Sequence, residues 1–198
     1  KMYNKGGVVL RIETVINRPR DFKIFRDGIR DGDRVKGWFP MAKRISQLFR
    51  YAEISLAANR RYLDALSAQD DPGSAEEDMR RLSGRVVRKG RSHAGFNPAC
   101  REHVALFEAV MRGEHSIAGF RNEDIRRRLF NCEKTQDKAR SLSGRTGRLL
   151  KRLQSHGLIS KVQRSRRWRV TPGGARLMGK AIAIYHGSCQ HSCAWKAA

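Results

Sequence analysis

Three groups of residues in this 198-residue chain have the types and spacing to do chemistry. The densest is cationic. Ser141, Arg145, Arg148 and Arg152 stand at offsets of zero, four, seven and eleven, which puts them on one side of a helix. Lys151 borders that stripe, and Arg164, Arg166, Arg167 and Arg169 crowd the nearby stretch QRSRRWRV. A guanidinium can donate paired hydrogen bonds to guanine or grip a phosphate oxygen, so the pattern suits a polyanion. A solvated basic surface on a protein-binding module is the plainer alternative.

The second group is His186, Cys189, His191 and Cys193 in the tail HGSCQHSC. Two imidazoles and two thiolates are a chemically adequate zinc set. Their spacing is compressed, and a flexible basic tail over 187–198 is the reading adopted, with no metal and no cofactor. The third is Tyr3 with Glu13, a potential nucleophile and a carboxylate. Arg11 and Glu13 read equally as a same-face charge pair on a strand. His93, His103 and His115 are scattered singly. Gly144 and Gly147 lie in a helical pattern beside arginines rather than in a phosphate-cradling loop. With no catalytic constellation in view, binding is expected rather than catalysis.

Composition points the same way. The formal charge is +23, an excess that repels itself and reads as a polyanion footprint, nucleic acid first and anionic membrane second. No apolar run approaches the roughly 20 residues of a spanning helix, and the N-terminus lacks a secretory apolar core, so no membrane partner is expected. No acidic residue occurs after Asp137. Asp70, Asp71, Glu76, Glu77 and Asp78 cluster in what reads as a linker. The four cysteines form no disulfide framework, which suits a reducing, cytoplasmic and nucleoid-associated setting. The opening Lys1-Met2 is compatible with a start inside a longer protein.

Periodicity gives the elements that carry these residues. Leu142, Leu149, Leu150 and Leu153 give the stripe-bearing helix an apolar side, and Gly157 ends it. LISKV and WRVT read as a hairpin, and Thr171-Pro172 opens another helix. Upstream, Asn97-Pro98 starts a helix carrying Val104, Phe107, Val110 and Met111. Ser116-Ile117-Ala118 is expected as a strand pairing with that hairpin, and Asn122 caps a helix with Ile125, Leu129 and Phe130 inward. Trp168 belongs to the hairpin's core. In the N-terminal part, residues 7–17 and FKIF read as strands. The two Asp-Gly pairs mark turns, and Trp38 and Phe39 anchor the next element. Residues 41–68 form a long helix with Ile45, Leu48, Phe49, Ala52, Leu56, Leu63 and Leu66 along one side. A short helix over 75–82 precedes RVVRKGRSHAGFN, which is open between strand, linker and arm. The expected fold is mainly α with small β elements (α+β), divided into residues 1–96, 97–186 and the tail.

LLKRLQSHGLISKV…RRWRVTPGGARLM resembles the recognition helix and wing of winged-helix regulators of the MarR-like kind, over residues 97–186. The resemblance implies a helix in the major groove and a wing on the backbone or minor groove, hence double-stranded DNA as partner. RNA is also compatible with the charge, although sparse aromatics outside core positions disfavour single-strand stacking. A homodimer is compatible with a seam along the long helix. Tyr3-Asn4-Lys5 with Leu10-Arg11-Ile12-Glu13 is similar to the strand pair of plasmid and phage rolling-circle replication initiators. That resemblance implies a tyrosine nucleophile and a metal-holding carboxylate in the C-terminal part of a mobile-element protein. It departs from the pattern in lacking a His-hydrophobic-His motif, and most of a catalytic region would lie ahead of residue 1.

Overall fold

Helix predominates, and strands come only in antiparallel pairs: four two-stranded sheets accompany seven helices among the described residues. The computed structural model describes residues 1–67, 75–130 and 136–194, with the side chains of 65–67, 136–138 and 188–194 outside that description. The fold is mainly α with small β elements. It divides into two compact units, Lys1–Tyr62 and Leu63–Ala198.

The first unit opens with a hairpin of β1 (Met2–Lys5) and β2 (Val9–Ile12), Tyr3 opposite Arg11. The strand expected over 7–17 is therefore shorter and is one arm of a hairpin. A second hairpin joins β3 (Lys23–Arg30) to β4 (Asp33–Pro40). Of the two Asp-Gly pairs, Asp31-Gly32 makes the turn, with both residues at positive φ. Asp27-Gly28 runs inside β3 instead, and there the Phe39 ring on the facing strand takes the space beside Gly28 where a side chain would stand. Trp38 packs across this hairpin. It meets Phe25 edge-on, ring centroids 5.7 Å apart, and Phe25 is 58% exposed.

The long helix is α1 (Leu48–Ser67), preceded by a single 3-10 turn. Its buried side is not the expected one. Gln47, Ile54 and Ala58 are buried and Tyr51 is half-buried, at offsets of zero, seven, eleven and four. Ile45 and Phe49 are 91% and 77% exposed. The sequence supports both stripes, and a polar contact selects one. Asn59 hydrogen-bonds the Thr14 hydroxyl and the Ile12 carbonyl, which turns the neighbouring Ala58 inward.

The second unit runs α2 (Ala75–Ser83), β5 (Val86–Arg88), β6 (Arg91–His93), α3 (Arg101–Val110), α4 (His115–Ala118), α5 (Asn122–Leu129) and α6 (Gln136–Ser155). It closes with β7 (Ile159–Lys161), β8 (Trp168–Val170) and α7 (Pro172–Ala194). One core joins them, with Phe107, Val110, Phe120, Ile125, Leu150, Leu153 and Met178 fully buried. Leu82 and Phe96 belong to that core, so the segment ahead of residue 97 folds together with α3 to α7. Asp78 is not in a linker. It is buried, with Lys180 Nζ at 2.8 Å and Arg176 at 3.2 Å, tying α2 to α7. Removing one partner of such a buried pair typically costs about 3–5 kcal/mol.

Three local expectations are corrected. Asn97 does not cap α3. Its side chain accepts a bond from Ala99 N at 2.9 Å in a turn of its own, and the helix begins at Arg101. Residues Ser116, Ile117 and Ala118 are the helical turn α4, and pairing with β8 is reduced to Phe120, bonded both ways to Trp168 at 2.9 and 2.8 Å. Asn122 is the first residue of α5 rather than its cap, where Arg121 N donates to Asp124 at 2.7 Å. As expected, α7 opens at Pro172, and the Thr171 hydroxyl accepts from Gly174 N at 2.9 Å. It continues to Ala194, through most of the segment expected as a flexible tail.

Candidate nucleic-acid interface

A cationic exposed surface of the second unit is built on α6. Thr146, Leu150 and Leu153 are buried, with Leu142 and Leu149 half-buried beside them. The opposite side, with Arg140, Ser141, Gly144, Arg145, Arg148 and Lys151, therefore faces outward. Helix α5 fixes the roll of α6. Asn122 donates to the Ser143 carbonyl at 3.1 Å and accepts from the Ser143 hydroxyl, and Arg126 donates to the Ala139 carbonyl at 2.9 Å. Gly147 lies on this side, where a Cβ would stand 3.6 Å from the Asn122 amide, while Gly144 lies on the outer side. The helix ends at Gly157, φ 72°, where Leu158 N returns to the Leu153 carbonyl.

Within the expected set the side chains divide in two. Arg148 and Lys151 are exposed. Arg145 is also exposed, resting over the Phe130 ring at 5.3 Å with Glu102 at 3.7 Å, a separation worth little in water. Arg152 departs from the stripe's role. It lies 4.1 Å over the Phe96 ring, donates from Nε to the Ala94 carbonyl at 2.9 Å, and bonds the Gly95 carbonyl. Its stem and head hold the chain leading into α3.

The β7–β8 hairpin divides likewise. Arg164, in left-handed conformation at φ 54°, and Arg166 are exposed at the tip. The Ser165 hydroxyl donates to the Val162 carbonyl and accepts from Arg167 N, shaping the turn. Arg167 reaches back to the Gly119 carbonyl at 3.1 Å, and Arg169 to the Ile117 carbonyl at 3.4 Å. Both are half-buried, braced against α4 and its exit. Trp168 packs on the core, with Lys161 Nζ 5.0 Å from its ring. Burial lowers the pKa of Arg152 and Arg169 from the usual arginine value, and an arginine stays charged under such a shift.

The other sequence candidates are not gathered into a site by the described residues. Tyr3 is exposed on β1, and Glu13 is ion-paired with Arg11 at 2.9 Å. His186 lies on α7, 2.7 Å from Glu108 of α3. The side chains of Cys189, His191 and Cys193 lie outside the described residues. Among those described, no group of three or more His, Cys, Asp or Glu side chains stands together as metal ligands, and no helix is long and apolar enough to cross a membrane. Arg140, outside the expected stripe, is exposed on the outward side of α6 too; it stands eleven residues before Lys151, the same spacing that links Ser141 to Arg152. Comparison of the chain with family models, curated proteins and solved structures returned no match.

Proposed function

We propose that the chain binds double-stranded DNA, with α6 laid in a groove and the β7–β8 hairpin against the backbone, in the manner of a winged-helix protein. The observation that carries this is the exposed row Arg145, Arg148 and Lys151 on a helix whose other side is locked into the core, next to a hairpin tip bearing Arg164 and Arg166. A rigid helix with cations at this spacing can follow a groove, and each neutralised phosphate releases counterions. Ser141 and Arg145 lie nearer the helix start, where base contacts are made in groove-inserted helices. Such a protein would act as a regulator or DNA-associated factor in the nucleoid, without chemistry of its own.

The test is binding of the full chain to labelled duplex DNA, single-stranded DNA and duplex RNA across a salt series, repeated with Arg145→Gln and Arg148→Gln together. Duplex DNA should be preferred. The double substitution should weaken binding at least tenfold and make the logarithmic salt slope shallower by about 2, from about 0.9 per phosphate contact. Equal affinity for all three polyanions, or a double variant binding as the parent does, would defeat the reading.

A further inference from the structure

The segment between α2 and α3, open at the sequence level between strand, linker and arm, is a basic hairpin fastened to α6. Its residues 85–93, RVVRKGRSH, hold four cations and no acid. Strands β5 and β6 pair Val86 with His93 and Arg88 with Arg91, and Lys89 and Gly90 form the tip at φ 51° and 71°, the primed turn of a two-residue hairpin. Two three-residue strands have no stability alone; this pair is held from below. Arg88 bonds the Gln154 carbonyl in the last turn of α6, and Arg152 and His156 both engage the Ala94 carbonyl at 2.9 Å. Arg152 stands one turn beyond Arg148 on the same side of the helix. The hairpin's root therefore adjoins the end of the exposed row on α6.

Little of the hairpin serves the core. Val87 is 70% exposed, and Arg85, Lys89 and Arg91 are all exposed. We propose that β5–β6 is a second phosphate-gripping arm, which continues the contact with the same duplex past the C-terminal end of α6. The ligand is the sugar-phosphate backbone rather than base edges, since two short strands with long cationic side chains offer point charges and no rigid groove-filling surface. Arg152 then acts as a positioning residue that joins the arm to the helix. This inference rests on the DNA-binding reading above.

The experiment uses the full chain with Arg85→Gln, Lys89→Gln and Arg91→Gln combined, leaving Arg88 in place because it holds the hairpin. It is compared with the parent and with the Arg145→Gln/Arg148→Gln variant by salt-dependent duplex binding and hydroxyl-radical footprinting. Thermal unfolding of the triple variant should match the parent, since the three side chains are exposed. The triple variant should lose roughly 2–3 from the salt slope, bind at least tenfold more weakly at low salt and protect a footprint shortened at one end. A parental slope and footprint in the triple variant, with binding lost in the α6 variant, would overturn the second arm alone. Parental binding by the α6 variant would overturn the DNA reading and this inference with it.

Discussion

At the scale of single residues, arginines that look alike in the sequence do different work. Arg148 is exposed, and Arg152, four residues on, is bonded to two carbonyls and stacked on Phe96. Arg152→Ala should therefore lower stability by about 1.5–3 kcal/mol, the range for hydrogen bonds to a charged group, as read by urea unfolding. Arg148→Ala should leave stability unchanged and weaken DNA binding. The same cluster predicts a pH response. His103 and His156 both pack edge-on against Phe96, and burial lowers the pKa of each from the usual histidine value. The unfolded chain then takes up protons more readily than the folded one. Stability should be full above about pH 6.5 and fall as pH drops through the folded values. The urea midpoint should decrease between about pH 7.5 and 5, and His103→Gln with His156→Gln should flatten that decrease. A midpoint that rises on acidification would contradict this account. Which arginine is structural was illegible in advance, because the carbonyls of Ala94 and Gly95 come from more than fifty residues away.

At the scale of elements, the signals that were legible are those closed within one turn of chain. Thr171 and Pro172 open α7, Gly157 ends α6, and Asp31-Gly32 turns the β3–β4 hairpin. Some that failed were local too, such as the caps expected at Asn97 and Asn122, and others depended on a distant strand or face. The Ser116 segment is helical, and backbone pairing with β8 is left to one bridge just beyond α4, at Phe120. That close approach passes over Gly119, φ 75°, where a Cβ would run into the Trp168 carbonyl. Gly157 has a similar φ of 72° but open space around it. Gly157→Ala should cost about 1–2 kcal/mol from the left-handed backbone alone, and Gly119→Ala clearly more, because the carbonyl it meets is held in the bridge. Melting temperatures of the two variants decide the point, and equal losses would mean the contact is relieved without strain.

At the scale of the whole molecule, the chain is two units, Lys1–Tyr62 and Leu63–Ala198, and the candidate interface residues named above all lie in the second. A chain comprising residues 63–198 should fold cooperatively and retain duplex affinity within about tenfold of the full chain, less the nonspecific attraction of the cations removed. Loss of folding or of binding in that fragment would show that the first unit is needed for one or the other. The first unit has a small buried set, Pro19, Met41, Gln47, Ile54 and Ala58. Its 3-10 turn and long helix leave Ile45, Leu48 and Phe49 exposed, part of the stripe that sequence periodicity selects for burial.

Sequence alone determined what depends on local order. It set the excess of positive charge and its bias toward the C-terminal third, the helix–hairpin–helix succession around α6, the end at Gly157 and the start at Thr171. Each of these rests on a period, a cap or a count within a few residues. Tertiary structure decided which of two periodic stripes on α1 is buried, which arginines of the basic stretch are bonded to carbonyls and which face outward, and that residues 85–93 are a hairpin mounted on α6. Those outcomes rest on contacts such as Asn59 with Thr14, Arg152 with Gly95, and Asp78 with Lys180. Such contacts form between residues far apart in the chain, and nothing in local propensity ranks one partner over another.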